Sequence, residues 1–199
     1  MPACRAPLTC MSKARITSSH ARSTRAPAEW ISLLRTLVAI VGSRNLSDFS
    51  VGPVLLDSLR KMAWDSGVEI EDMSYGPIAV VQNLEDRPRY DRMVFLSAVK
   101  RGRVAGDVYR REFKQLLPHA DEIQARIREA VTGVIDLDNL LIVVQHFGFL
   151  APEVVSIEVE PLECESGEAL SPAVSAIVPD ILRMIEVEAH AGVNYSAAR

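Results

Sequence analysis

The sequence predicts an α/β fold: a three-layer sandwich with a mainly parallel, five-stranded sheet flanked by helices. Three observations carry this. Apolar runs of strand length alternate with stretches of helical periodicity. The first of these runs, RTLVAIVG (35–42), is apolar almost throughout, as a strand buried on both faces must be. Finally, 199 residues, 48% of them hydrophobic and 24% charged, suffice for one substantial core. The expected organisation is a disordered basic tail over residues 1–28 and a single domain over residues 29–199.

After the first strand, Val54, Leu55, Leu59 and Met62 recur at helical spacing with Asp57, Arg60 and Lys61 opposite, which predicts a helix from Val51, ended at DSG (65–67) by Gly67 as the cap. Strands are expected at VEIED (68–72), RMVFLSAV (92–99) and EVVSIEVEP (153–161). GDVYRREF (106–113) has more polar alternation and suits an antiparallel addition to the sheet. Helical patterns cover roughly 77–85, 119–131, 136–147 and 172–189, the last opened by Ser171 as N-cap and Pro172 at the first helical position.

Composition excludes several classes. No apolar run approaches the roughly 20 residues of a membrane helix, so no membrane span is expected. Cys4, Cys10 and Cys164 are too few and too scattered for a disulfide framework or a structural zinc site, which fits a reducing cytoplasm. The formal net charge is −4, yet residues 1–28 hold Arg5, Lys13, Arg15, Arg22 and Arg25 and no acid, leaving −9 on the remainder. Such a segment can attract nucleic acid or anionic lipid; its Ser, Thr, Pro and Arg content is equally that of an unfolded tail or of a start codon placed too far upstream, and nucleic acid is not expected as a partner.

The turn after the first strand, GSRNLSDFSVG (42–52), lies where α/β proteins place ligands. It lacks the spacing of a phosphate-binding loop, so Gly42 and Gly52 read first as backbone devices, one freeing the strand end and the other admitting the helix start close to the sheet. Gly42, Asn45, Asp48 and Gly52 nevertheless stand in the order of the first turn of the nickel-iron hydrogenase maturation endopeptidases. Asp72 and Gly76 in VEIEDMSYG, the strand RMVFLSAV, the helix within VTGVIDLDNLLIVVQHFG and the C-terminal PEVVSIEVEPLECESGEALSPAV continue the match. Over about residues 35–188 the chain resembles that family, and its fold is the one the resemblance implies.

The resemblance further implies an endopeptidase that trims the C-terminus of the nickel-iron hydrogenase large subunit, with nickel sensed in the substrate through an acid in the first turn, an Asp after the third strand and a His before a later helix. Oxygen and imidazole donors suit such a borderline divalent metal. Here the three positions fall on Phe49, Ser97 and Gly133, and Asp48 is the one carboxylate left in the first turn as a candidate ligand. A rebuilt site would have to recruit His119, Asp136 or Asp138. Asp136 reads more simply as a helix N-cap, His119 as a solvent-facing residue near a helix start, and His146 as a partly buried residue at a helix C-terminus. Cys164 lies in the acidic stretch LECESGE, which disfavours a reactive thiolate, and Ser97 has no nucleophile elbow around it. Three functions compete: a maturation protease with reduced or lost catalysis, a non-catalytic assembly chaperone or scaffold that binds the large subunit, and an unrelated small-molecule site on the same fold. Catalytic residues are left unassigned.

Overall fold

The computed structural model describes residues 34–191, apart from Gln115 and Glu168. The expected basic tail over residues 1–28 lies outside the described residues. The elements run β1 (Thr36–Ile40), α1 (Val51–Lys61), β2 (Val68–Asp72), α2 (Pro77–Glu85), β3 (Arg92–Ala98), β4 (Val108–Glu112), α3 (Ala120–Val131), α4 (Leu137–His146), β5 (Glu153–Val159), α5 (Pro172–Ala176) and α6 (Val178–His190), with a short 3₁₀ turn at Ser47–Ser50. The sheet has the order β2-β1-β3-β5-β4, parallel except for β4, which pairs antiparallel with β5.

Side-chain alternation along the strands splits the core into two layers. Leu37, Ala39, Met93, Phe95 and Val154 pack with Val80, Leu84, Leu140 and Leu141 of α2 and α4. Val38, Ile40, Val94, Leu96, Val155 and Ile157 pack with Leu55, Leu59, Ile181 and Ile185 of α1 and α6. β1 and β3 are buried at every position, which is why their sequences carry no polar alternation.

Two local expectations are corrected. The helix expected over 172–189 is two: it breaks at Ile177, two residues ahead of Pro179, which has no N–H for the carbonyl of Ser175. Helix α1 ends at Lys61 rather than at DSG. Met62 turns extended, and the Leu59 carbonyl accepts from the Met62 N–H and from the Trp64 indole at 2.7 Å. Gly67 instead offers its carbonyl to Thr36 N at the start of β1.

The chain leaves β1 towards one edge of the sheet and β3 towards the other, so the carboxyl ends of β1 and β3 form the topological switch point, where open α/β sheets have their ligand crevice.

Candidate functional site

A cleft of about 260 Å³ opens at this switch point. Its walls come from Gly42, Ser43 and Phe49 after β1, from Ser97 through Arg101 at and after β3, and from Ile135 through Asp138 at the start of α4. Two of the three positions at which the resemblance implies ligands, Phe49 and Ser97, therefore do line one cavity. The third does not. Gly133 lies in the αL region (φ +79°) with its N–H bonded to the Ala130 carbonyl, a cap that ends α3 and that a side chain would strain.

The glycines of the first turn act by proximity. A Cβ on Gly42 would stand 2.6 Å from the Phe49 carbonyl oxygen, and one on Gly52 would stand 2.6 Å from Ile40 Cγ2, so the turn folds back on itself and α1 seats directly on β1. The Gly52 expectation holds. For Gly42, the reason is close approach rather than freedom of the strand end, since its φ is not positive. Asn45 takes the left-handed φ of +59°, a conformation Asn tolerates better than most residues.

Asp48 is fully buried, and both of its oxygens are occupied. Oδ2 accepts from Leu162 N and Glu163 N at 2.9 Å each and from Ser171 Oγ at 2.9 Å, while Oδ1 accepts from Ser171 N at 2.8 Å. Burial pushes its pKa up, but the backbone bonds from Glu163, Ser171 and Leu162 and the Ser171 hydroxyl outweigh that and hold it below the ordinary carboxylate value. Ser47 adds bonds to the Glu165 and Gly167 carbonyls, so the first turn and the 162–171 loop are joined. The geometry gives Asp48 the work of a latch, its four hydrogen bonds all going to the 162–171 loop.

Charge at the cleft is concentrated elsewhere. Glu158, with its side chain fully buried on β5, accepts from Arg101 Nε at 2.8 Å, Arg103 Nη2 at 2.9 Å and Arg111 Nε at 2.5 Å. Arg101 also makes a two-pronged contact to Asp138, at 2.8 and 2.9 Å, and Arg111 reaches the same carboxylate at 2.8 Å. Burial raises the Glu158 pKa, but the bonds from Arg101 and Arg111 prevail and bring it down to about 2. The Arg101 hydrogen bond likewise holds Asp138 below its ordinary value despite burial. Glu160, also buried, receives the N–H groups of Arg101 and Gly102 at 2.9 Å. The guanidinium of Arg101 thus fills the wall between β3, β5 and α4.

The remaining candidates lie outside such a constellation. Asp136 caps α4 through Asn139 N at 2.8 Å, as expected. His119 is exposed at the start of α3. His146, expected to be partly buried, is exposed and packs edge-on against Phe147, because α4 turns its apolar face inward and its last turn outward. Cys164 is a free, exposed thiol. Among the described residues no group of three His, Cys, Asp or Glu side chains could hold a metal ion. The Arg101–Glu158–Asp138 cluster was not expected from the sequence, although Glu158 and Glu160 within an otherwise apolar strand are its visible trace.

Solved structures match this architecture across most of the chain. A hydrogenase 2 maturation peptidase from a Thaumarchaeota archaeon is 25% identical with a TM-score of 0.53, covering 76% of this chain and 95% of its own. The fold is that of the hydrogenase maturation peptidases. The maturating endopeptidase HybD from E. coli (19% identity, TM-score 0.57, 76% of this chain and 90% of its own) and a hydrogenase 3 maturation protease (17%, 0.54, 78% and 91%) share it. Neither a protein-family model nor a curated protein sequence matches the chain. The maturation-peptidase resemblance read from GSRNLSDFSVG and the C-terminal strand, loop and helix is therefore borne out in three dimensions. No helix among the described residues is long and apolar enough to cross a membrane.

Proposed function

We propose that this chain is a hydrogenase-maturation protein that binds the nickel-iron hydrogenase large subunit at the switch-point cleft without cleaving it. One observation carries the reading: the carboxylates nearest the cleft are committed to the protein's own groups, Asp138 to Arg101 and Arg111 and Asp136 to the cap of α4. Phe49 and Ser97 add no strong ligand, since an aromatic ring has no lone pair and a neutral hydroxyl binds such metals poorly. Nickel would enter only as part of the substrate, and this donor set does not suit reading it. The fold likeness supports the partner class; the cleft chemistry supports binding over hydrolysis. The expected place of action is the cytoplasm, where the large subunit would be assembled.

The test is to incubate the full chain with a nickel-loaded hydrogenase large subunit from the same organism, following complex formation by size-exclusion chromatography and the subunit by intact mass. A complex with unchanged subunit mass is expected. Loss of a C-terminal fragment would overturn the reading and restore the protease.

A further inference from the structure

The charge of the chain is unevenly placed. Residues 100–114, from the end of β3 through β4, hold six cations (Lys100, Arg101, Arg103, Arg110, Arg111 and Lys114) against Asp107 and Glu112, a net of +4. Setting aside this segment and the +5 of residues 1–28, the rest of the chain carries −13 of the formal −4 total. A basic stripe thus crosses an acidic body, and it borders the cleft.

Glu158, which pairs with Arg101, Arg103 and Arg111, is buried beneath them, and their side chains stay 25%, 26% and 31% exposed. Arg101 and Arg111 are further neutralised by Asp138, 34% exposed, and Arg110 by Glu112 and Glu188, so Arg103 is the arginine of the stripe answered only from below. Lys100, on the cleft wall, is exposed and has no ion-pair or hydrogen-bond partner among the described residues. At Lys100 and Arg103 an approaching group meets positive charge first. Beside it, β4 is the outermost strand and among the described residues pairs only with β5, so its other edge offers unpaired backbone groups to an extended chain. Phosphate would feel the same field, but the aromatic of this strand is taken: the Arg103 guanidinium sits over the Tyr109 ring at 4.5 Å, leaving that face closed to a stacked base.

We propose that Lys100, Arg103 and the open edge of β4 form a docking surface for an acidic, extended segment of the partner polypeptide. This deepens the proposed function and rests on its reading of the cleft as a polypeptide-binding site. The charge steers the segment to the stripe, and the strand edge aligns it alongside the cleft.

The experiment is fluorescence anisotropy of the full chain with three labelled probes: decaglutamate, decalysine and a single-stranded decadeoxynucleotide. Decaglutamate is expected to bind best, to weaken when salt rises from about 50 to about 200 mM, and to lose about tenfold in affinity in the Lys100→Glu, Arg103→Glu variant. Lys61→Glu on α1 should leave binding unchanged. Lys100→Glu alone, which breaks no contact, covers the case in which the double variant does not fold by circular dichroism. Failure of decaglutamate to bind, equal binding by wild type and Lys100→Glu, or tighter binding of the oligonucleotide would overturn the proposal. A large subunit captured equally by wild type and Lys100→Glu would leave the partner reading standing and remove this one.

Discussion

Two carboxylates are buried near the carboxyl ends of the strands, and they are stabilised by opposite means. Asp48 is held by neutral donors: three backbone N–H groups and one hydroxyl. Glu158 is held by three guanidinium ions and the Ser156 hydroxyl. Both end with a lowered pKa, but the first depends on the exact path of the 162–171 loop while the second depends on net charge. Neutral dipoles suit a joint that must be rigid, because they vanish if the loop moves. A charge cluster leaves cations at the surface, where a ligand can meet them.

Breaking the latch should cost most. Asp48→Ala orphans several donors at once, two of them on buried Ser171, and at about 1–3 kcal/mol per buried unsatisfied group the loss should reach about 3–5 kcal/mol in a urea titration. Asp48→Asn, which keeps the shape but replaces one acceptor oxygen by a donor, should recover only part of it. A variant of near wild-type stability would show that the latch is ornamental.

Glu158→Gln should cost less, about 2 kcal/mol, because the arginines can still reach Asp138 or water. The sharper readout is pH. Glu158 has a native pKa of about 2 against an ordinary 4.5, so between those values the unfolded chain binds more protons than the native one. Its contribution is full above pH 4.5 and falls away as the pH drops towards 2. Thermal melts across this range should show a shallower decline for Glu158→Gln than for wild type; parallel declines would assign the acid sensitivity elsewhere.

Packing at the turn comes next. Gly52→Ala places a Cβ against Ile40 Cγ2 and the Val41 carbonyl in a region with no slack, for an expected loss of about 1–3 kcal/mol by the same titration. The smallest effect belongs to a pair that resembles the cluster only in chemistry. Arg183 and Asp180 on α6 bond at 2.9 Å, but their side chains are 73% and 57% exposed, and Arg183→Ala should change stability by no more than about 0.5 kcal/mol.

Most of the fold was legible before any coordinates. The apolar runs of β1 and β3 announced central strands because burial on both faces forbids polar alternation, and Ser171 with Pro172 marked a helix start that the Ser171–Val174 bond bears out. The expected elements differ from the structure at two places: at Pro179 periodicity hides a local break, and at Gly67 a local cap signal stands beyond the helix end at Lys61. The site was legible only in outline. Phe49 and Ser97 line one cleft, whereas Gly133 is a helix cap outside it.

Sequence by itself determined the order of strands and helices and the glycine-bearing first turn, because each of these is a matter of residue type at a given spacing. Only the tertiary structure decided what the remaining charges do. Arg101, Asp138 and Glu158 are separated by up to 57 residues along the chain, and nothing local to any of them specifies the others. Pairing of β3 with β5 carries Arg101 to Glu158 and the start of α4 adds Asp138, and the burial of Glu158 there makes each depend on the rest.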